Sequence, residues 1–510
     1  MNQHSRAIRN VVIVGGGTAG WMAASAIVKA FDTPDASAAL NITVVESDAI
    51  ATVGVGEATV PTIRQFVRTV GLDEADFMAA TGATIKLGIE FRDWSAPGSR
   101  FFHGFGDYGP SVRGQPYRQH LFRLHAAGRI ESMEAWSLPS IMAREGRFAP
   151  PVSDPRSVLS SFAYAYQFDA GLFARRLRTL AEDAGVVRVE GRIVDAEIAD
   201  GLVGAVRLED GRRLEADLFI DCSGFRGLLI EGALKAGYEE WTRWLPCDRA
   251  VALPCPLSRP PGPFTTATAM TAGWRWRIPL QHRVGAGHVY SSAFMKDQDA
   301  LDALVQNLES PPTEEPNFLR FVTGRRRSAW KGNVVSVGLA SGFIEPLEST
   351  SISLIQSSIG RLLELFPDRD FDPVLVTEYN RRTAQDFERV RDFIIAHYHL
   401  AGRTDGEMWR HCRETPPPDS LAAKLELFRA RGEVTLMEDE SFREDSWAAV
   451  LTGLGVWPRR VSPLVERLDL AKGEAQAVRV AELIGKAAAS LPDHQTYLSE
   501  RRVAPMEPTP

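Results

Sequence analysis

A strand that stops in a glycine turn and restarts as a helix leaves a chain few folds to adopt. Here Asn10 to Val14 is a short run rich in β-branched residues, Gly15-Gly16-Gly17-Thr18-Ala19-Gly20 follows at once, and Trp21 to Ile27 has helical composition. Gly15, Gly17 and Gly20 occupy the glycine positions of G-x-G-x-x-G. There, missing side chains let the backbone approach a pyrophosphate, and the helix N-terminus supplies N–H donors and a positive dipole. A second apolar strand, Ile42 to Val45, ends in Glu46, an acid spaced to accept from a ribose hydroxyl. The pattern predicts an α/β fold with a Rossmann-like dinucleotide site; the bland alternative is a tight strand-to-helix turn.

Nothing in that opening separates NAD from FAD. From Val187 to Asp221 the chain reads as short strands with a hairpin turn at Asp210-Gly211, ending in Cys222-Ser223-Gly224. A meander that feeds back into a strand with a small-residue turn resembles the FAD-binding fold of the aromatic hydroxylase superfamily. No second G-x-G-x-x-G follows a strand elsewhere, so a built-in NAD(P)H domain is not evident and the flavin would have to arrive reduced.

Composition narrows the class. A length of 510 residues predicts two to four domains, and 44% hydrophobic with 24% charged residues is ordinary for a globular protein. The net charge of -7 argues against nucleic acid or an anionic membrane as partner and leaves a small substrate. No run of eighteen apolar residues occurs and Met1 to Asn10 lacks an apolar core, so a cytoplasmic location is expected. Cys222, Cys247, Cys255 and Cys412 are scattered without a C-x-x-C pair and read as small core residues. His397 and His399, two apart on a predicted helix, point in different directions, so no metal site is expected.

Several stretches then carry candidate chemistry. In Gly273-Trp274-Arg275-Trp276-Arg277-Ile278-Pro279 an extended backbone puts Trp274, Trp276 and Ile278 on one face, a rigid apolar wall ended by Pro279. Taken alone, such a stripe is ordinary core packing. Thr84 to Phe91 places Lys86 opposite Ile85 and Leu87 on a strand, where most lysines are solvated. Phe101 to Gly106 contains His103 and Phe105, which alone read as an aromatic cluster under a loop. Asp169 should cap a helix running to about Ala184. Gly338-Leu339 follows a buried strand, and Pro346 precedes a helix expected from Ser349 onward, putting Glu348 at a helix start where the dipole favours any acid.

Together W-x-W-x-I-P, Gly54 to Pro61, Thr84 to Phe91 and the Pro346 to Thr350 string resemble the motifs of flavin-dependent halogenases of the tryptophan halogenase family. The resemblance implies FAD, used as FADH2, at Gly15, Gly17, Thr18, Ala19 and Gly20, with Glu46, Val194, Gly338, Leu339 and Ile352 as further cofactor contacts. It implies halide, chloride or bromide, at Thr350 and Ser351, the latter standing where better-known members have glycine. Lys86 would carry halogen from hypohalous acid, Glu348 would take the ring proton in the same pocket, and His103 and Phe105 would flank the aromatic ring. The Trp274–Pro279 wall would keep flavin and substrate apart. Around Glu440 to Trp447 the family's tyrosine pair is missing, so indole or an indole derivative is as plausible a substrate as tryptophan. A separate NAD(P)H-dependent flavin reductase is the implied partner, and a homodimer is compatible with it. The rival function is an FAD-dependent aromatic monooxygenase.

The expected organisation is a discontinuous FAD-binding domain, 1–100 and 160–370, of the glutathione-reductase-like type. A mainly helical substrate-covering region, 101–159 and 371–503, and a disordered tail at 504–510 complete it.

Overall fold

The computed structural model describes residues 6–33, 39–49 and 56–500. Gly54 and Val55 of the Gly54 to Pro61 motif, and the tail expected at 504–510, lie outside them. The chain forms two compact units: Met1–Gly82, Phe168–Thr242 and Phe321–Glu388 make the first, and Ala83–Gln167, Arg243–Arg320 and Arg389–Pro510 the second.

The first unit is built on a six-stranded sheet in the order Trp330–Lys331, Val334–Ser336, Leu218–Asp221, Asn10–Val14, Asn41–Glu46, Val187–Glu190. Asn10–Val14 is parallel to both neighbours, Val12 lying opposite Phe219 on one side and Thr43 on the other. Val11 to Val14 are all buried, as a strand covered on both faces requires. The helix Thr18–Ala30 packs along Ala170–Asp183, where Ser25 Oγ donates to Leu177 O at 3.2 Å. Asp169 caps the second helix, accepting from the Leu172 N–H at 3.0 Å. The predicted meander is present as Ile193–Ala199, Leu202–Leu208 and Arg213–Glu215, with Gly211 at φ +87° in the hairpin turn. Asn333 clamps it to the main sheet by a reciprocal pair of 2.8 Å bonds with the Val203 backbone.

The second unit contains a seven-stranded sheet in the order Asn317–Arg320, Arg249–Ala252, Val284–Tyr290, Gly273–Pro279, Thr265–Met270, Gly88–Arg92, Arg100–Gly104. Helices supply the rest of this unit, among them Asp419–Arg431, Glu444–Gly453, Leu470–Ala489 and the C-terminal part of Pro373–His399. Trp94 is fully buried, edge-on to both Tyr398 and Trp409 at 5.6 and 5.4 Å.

The division differs from the expected boundaries. Segments 83–100 and 243–320, read as flavin domain, belong to the second unit because their strands pair in register with the Trp strand, Ala267 opposite Trp276 and also opposite Phe91. A strand's own pattern shows that it is buried and leaves its neighbours open.

Candidate active site

In the first unit the glycine turn is shaped by close approach. A Cβ on Gly20 would lie 1.8 Å from Gly15 O, and one on Gly15, whose φ is +104°, 2.4 Å from Cys222 O. Gly16 is crowded by a side chain instead, since a Cβ there would fall 1.6 Å from Glu46 Oε2. Gly16 falls between the signature positions of the motif, and the run of three glycines is the signal that marks it. Gly17 stands at the helix N-cap without a side-chain cap, so the first-turn N–H groups are offered outward. Thr18 and Ala19 open that helix, half-buried. Gly338, at φ +69°, comes against the same place: its added Cβ would sit 2.8 Å from Ala19 Cβ.

Around this cradle Glu46 is held in position. Its Oε2 accepts from Trp21 Nε1 at 3.3 Å, and its Oε1 from Arg178 Nη1 at 3.4 Å and from Arg188 Nε. Leu339 is half-buried on the 3-10 turn Gly338–Ala340, Ile352 is buried, and Val194 stands half-exposed on the meander. A bare glycine turn, an uncapped helix start and a clamped carboxylate fit the pyrophosphate and ribose of a dinucleotide.

The segment around Glu348 departs from expectation in detail. Pro346–Glu348 is a 3-10 turn, Ser349 takes φ +61°, and the helix begins at Ser351, not Ser349. Glu348 therefore lies outside that helix's first turn, and it is fully buried, so a surface dipole contact does not account for it. Thr350 is buried, and its Oγ1 has no hydrogen-bond partner among the described residues. Ser351 is half-buried at the helix start.

The second unit holds the remaining candidates. Lys86 ends the strand Thr84–Lys86, which pairs antiparallel with Ala165–Asp169 and lies outside the six-stranded sheet of the first unit. Ile85, Lys86 and Leu87 are all fully buried, so the solvated side expected for a lysine does not exist. Its Nζ lies 5.1 Å from the Phe105 ring centre, a cation–π distance. From Phe105 a chain of rings runs inward. His103 is 6.3 Å away, Phe393 and Phe442 lie 5.8 and 6.1 Å from His103, and those two phenyl rings stack at 3.8 Å. The structure thus joins Lys86, His103 and Phe105 in one aromatic wall and adds Phe393, Phe442 and Trp447, the last 4.8 Å from Phe393. Nothing local in the helical segments marked these three as site residues.

The wall ends in an ion pair. The Glu440 side chain is buried and bonded to Lys424 Nζ at 2.7 Å through both oxygens, with Trp447 Nε1 donating to it at 3.0 Å. Burial lowers the Lys424 pKa, partly offset by its bond to Glu440.

Trp274 and Trp276 are buried with ring centres 6.2 Å apart on the central strand. Gly287 lies directly opposite Trp276, and a Cβ there would come 2.0 Å from the indole. Only a bare backbone lets that ring lie flat across the neighbouring strand. Ile278 and Pro279 complete the ladder opposite Gly285 and Val284. Among the described residues no group of three His, Cys, Asp or Glu side chains is placed to hold a metal ion, and no helix is long and apolar enough to cross a membrane.

A dinucleotide cradle with an FAD-type meander in one unit, and a buried lysine on an aromatic wall in the other, define a flavoprotein that works on aromatic rings. The chain belongs to the tryptophan halogenase family, whose sequence model matches residues 10–470. It is a FADH2-dependent halogenase of aromatic rings, and this reading displaces the rival monooxygenase. It is 35% identical to the tryptophan 6-halogenase SttH of Streptomyces toxytricini, covering 96% of this chain and 97% of that protein. Its fold matches that of BrvH, a flavin-dependent halogenase from Brevundimonas sp. BAL3, with a TM-score of 0.93 and 47% identity over 97% of this chain and 99% of the other. A flavin-dependent halogenase from Xanthomonas campestris matches at 0.93 and 43% identity, over 99% of this chain and all of that one, 100%.

Proposed function

We propose that this enzyme uses chloride or bromide to halogenate indole or a neutral indole derivative in the cytoplasm, with FADH2 delivered by a separate NAD(P)H-dependent flavin reductase. The first unit binds the cofactor and the second encloses the substrate. Bound FADH2 supplies, with oxygen, the two-electron oxidation that converts halide to hypohalous acid. The residues of the chain do the rest. Thr350, whose buried hydroxyl meets no partner among the described residues, and the N–H of Ser351 offer donors to halide. Trp274 and Trp276 keep the organic ring from the flavin. Lys86 donates to hypohalous acid or forms a haloamine, and presents halogen to a ring held against Phe105 and His103. Glu348 takes the proton that the ring loses.

The observation that carries this reading is Lys86. Full burial of a lysine is costly, and one whose Nζ lies over an aromatic ring inside a halogenase fold has a chemical use for that cost. With FAD, flavin reductase, NADH and bromide supplied, Lys86→Ala should consume reduced flavin at the parental rate and yield no halogenated product, by mass spectrometry. Halogenation at the parental rate would move the chemistry to another residue.

The substrate assignment rests on Lys424. Because it neutralises Glu440, this end of the wall offers no free carboxylate to an ammonium, and an amino-acid zwitterion gains no partner there. Indole should be turned over at least as well as tryptophan; a large preference for tryptophan in a direct competition assay would overturn the assignment.

A further inference from the structure

The strand that carries Lys86 is three residues long, Thr84–Lys86, and its backbone is held by side chains from distant parts of the chain. The Ile85 N–H donates to Nε2 of His494, 409 positions away, at 3.3 Å. The Ile85 carbonyl accepts from Gln167 Nε2 at 3.1 Å, and the same amide reaches Thr84 Oγ1 at 3.0 Å. Thr84 Oγ1 in turn donates to the carbonyl of Pro279, the end of the Trp strand, at 2.6 Å. His494 is buried, on the short helix His494–Ser499. Its Nδ1 lies 2.9 Å from Pro261 O, a partner that can only accept, so Nδ1 carries the proton and Nε2 is left as acceptor. That tautomer is the one able to receive the Ile85 amide.

We infer that His494 is a positioning residue for halogen transfer: through the Ile85 amide it fixes the residue adjoining Lys86, and with it the direction in which the Lys86 amine meets hypohalous acid and the ring. This rests on the assignment of Lys86 as halogen carrier. The strand has one paired neighbour over three residues, and Leu87 after it is tied to Pro263 O and the Phe105 N–H, so on the side before Lys86 the Ile85 backbone is held by the His494 and Gln167 side chains. A displacement of about 1 Å at a reacting group costs on the order of a hundredfold in rate, so a bond one residue from the lysine matters to transfer while leaving hypohalous acid formation untouched.

Two substitutions separate positioning from mere packing. His494→Gln puts an amide oxygen near the place of Nε2 and can still accept from Ile85; His494→Asn reaches only the place of Nδ1 and can bond Pro261 but not Ile85. With full-length enzyme, FAD, flavin reductase, bromide and indole, the readouts are brominated indole formed and free hypobromite trapped, each per FADH2 consumed. His494→Asn should lose about tenfold or more in product per FADH2, with a matching rise in trapped hypobromite and unchanged flavin oxidation, whereas His494→Gln should stay within about threefold of the parent. Recovery by Asn but not Gln, or equal coupling in both, overturns the inference. Gln167→Met, which removes the donor to the Ile85 carbonyl, carries the test if either His494 variant fails to fold: it should release hypobromite in the same way, and parental coupling would overturn the inference. Lys86→Ala run alongside tests the assignment beneath it, since parental product from that variant would remove the halogen carrier itself.

Discussion

At the scale of single residues, the candidate catalytic groups are polar side chains kept where water is excluded. Glu348 is the clearest case. Its position before the helix Ser351–Glu364, on a 3-10 turn followed by a left-handed serine, means that burial and not the helix dipole sets its environment. If it removes the ring proton, Glu348→Gln should slow bromination of indole by about 10²–10⁴-fold, the usual range for losing a placed proton acceptor, while FAD binding measured by flavin fluorescence stays intact. As candidates, Glu348 and Lys86 were legible from their strings of neighbours. Their surroundings were not: alternation on a strand predicts a solvated face for Lys86, and only the packing of other segments over that face makes it a buried amine.

Among the elements, the Trp strand shows how a motif depends on a neighbour it does not contain. Gly273–Pro279 lies between Thr265–Met270 and Val284–Tyr290, and the Trp276 indole covers Gly287 of the latter. Gly287→Ala would force a methyl into space the ring fills, so the protein should lose about 1–3 kcal/mol of stability to denaturant, with Trp fluorescence reporting the displaced ring. Unchanged stability and emission would show that the wall has room to shift. The strand and its sided aromatics could be read in advance, because a period of two is a local property. Its partners could not, since the pairing joins segments distant in the chain, and this is why 83–100 and 243–320 were expected with the flavin domain.

At the scale of the whole molecule, buried histidines tie stability to pH. Burial pushes His494 and His288 down to about 4 from an ordinary 6.5, and each is left neutral with its Nδ1 against a carbonyl, Pro261 and Ala300. The unfolded chain takes up a proton at each as pH drops below 6.5, and the folded chain does so only near 4. Their contribution is therefore complete above 6.5 and is lost as pH falls from there to about 4, up to about 3 kcal/mol for each. The melting temperature should fall across that window, less steeply in His494→Gln than in the parent; equal slopes would show that His494 does not contribute.

The glycine turn, the meander, the Trp strand and the helical C-terminal segments could be read from the chain alone, because each rests on glycine geometry or on periodicity within a few neighbouring residues. It also carried the motifs by which the halogenase family is recognised. The rest is long-range: Gly16 faces the Glu46 side chain and Gly338 the Ala19 methyl, Lys86 is buried against Phe105, Phe393, Phe442 and Trp447 extend its wall, and Lys424 neutralises Glu440. His494 belongs to the same group, meeting Ile85 across 409 positions. Contacts of this kind arise when separate segments close over one another, and no property of either segment alone specifies the other.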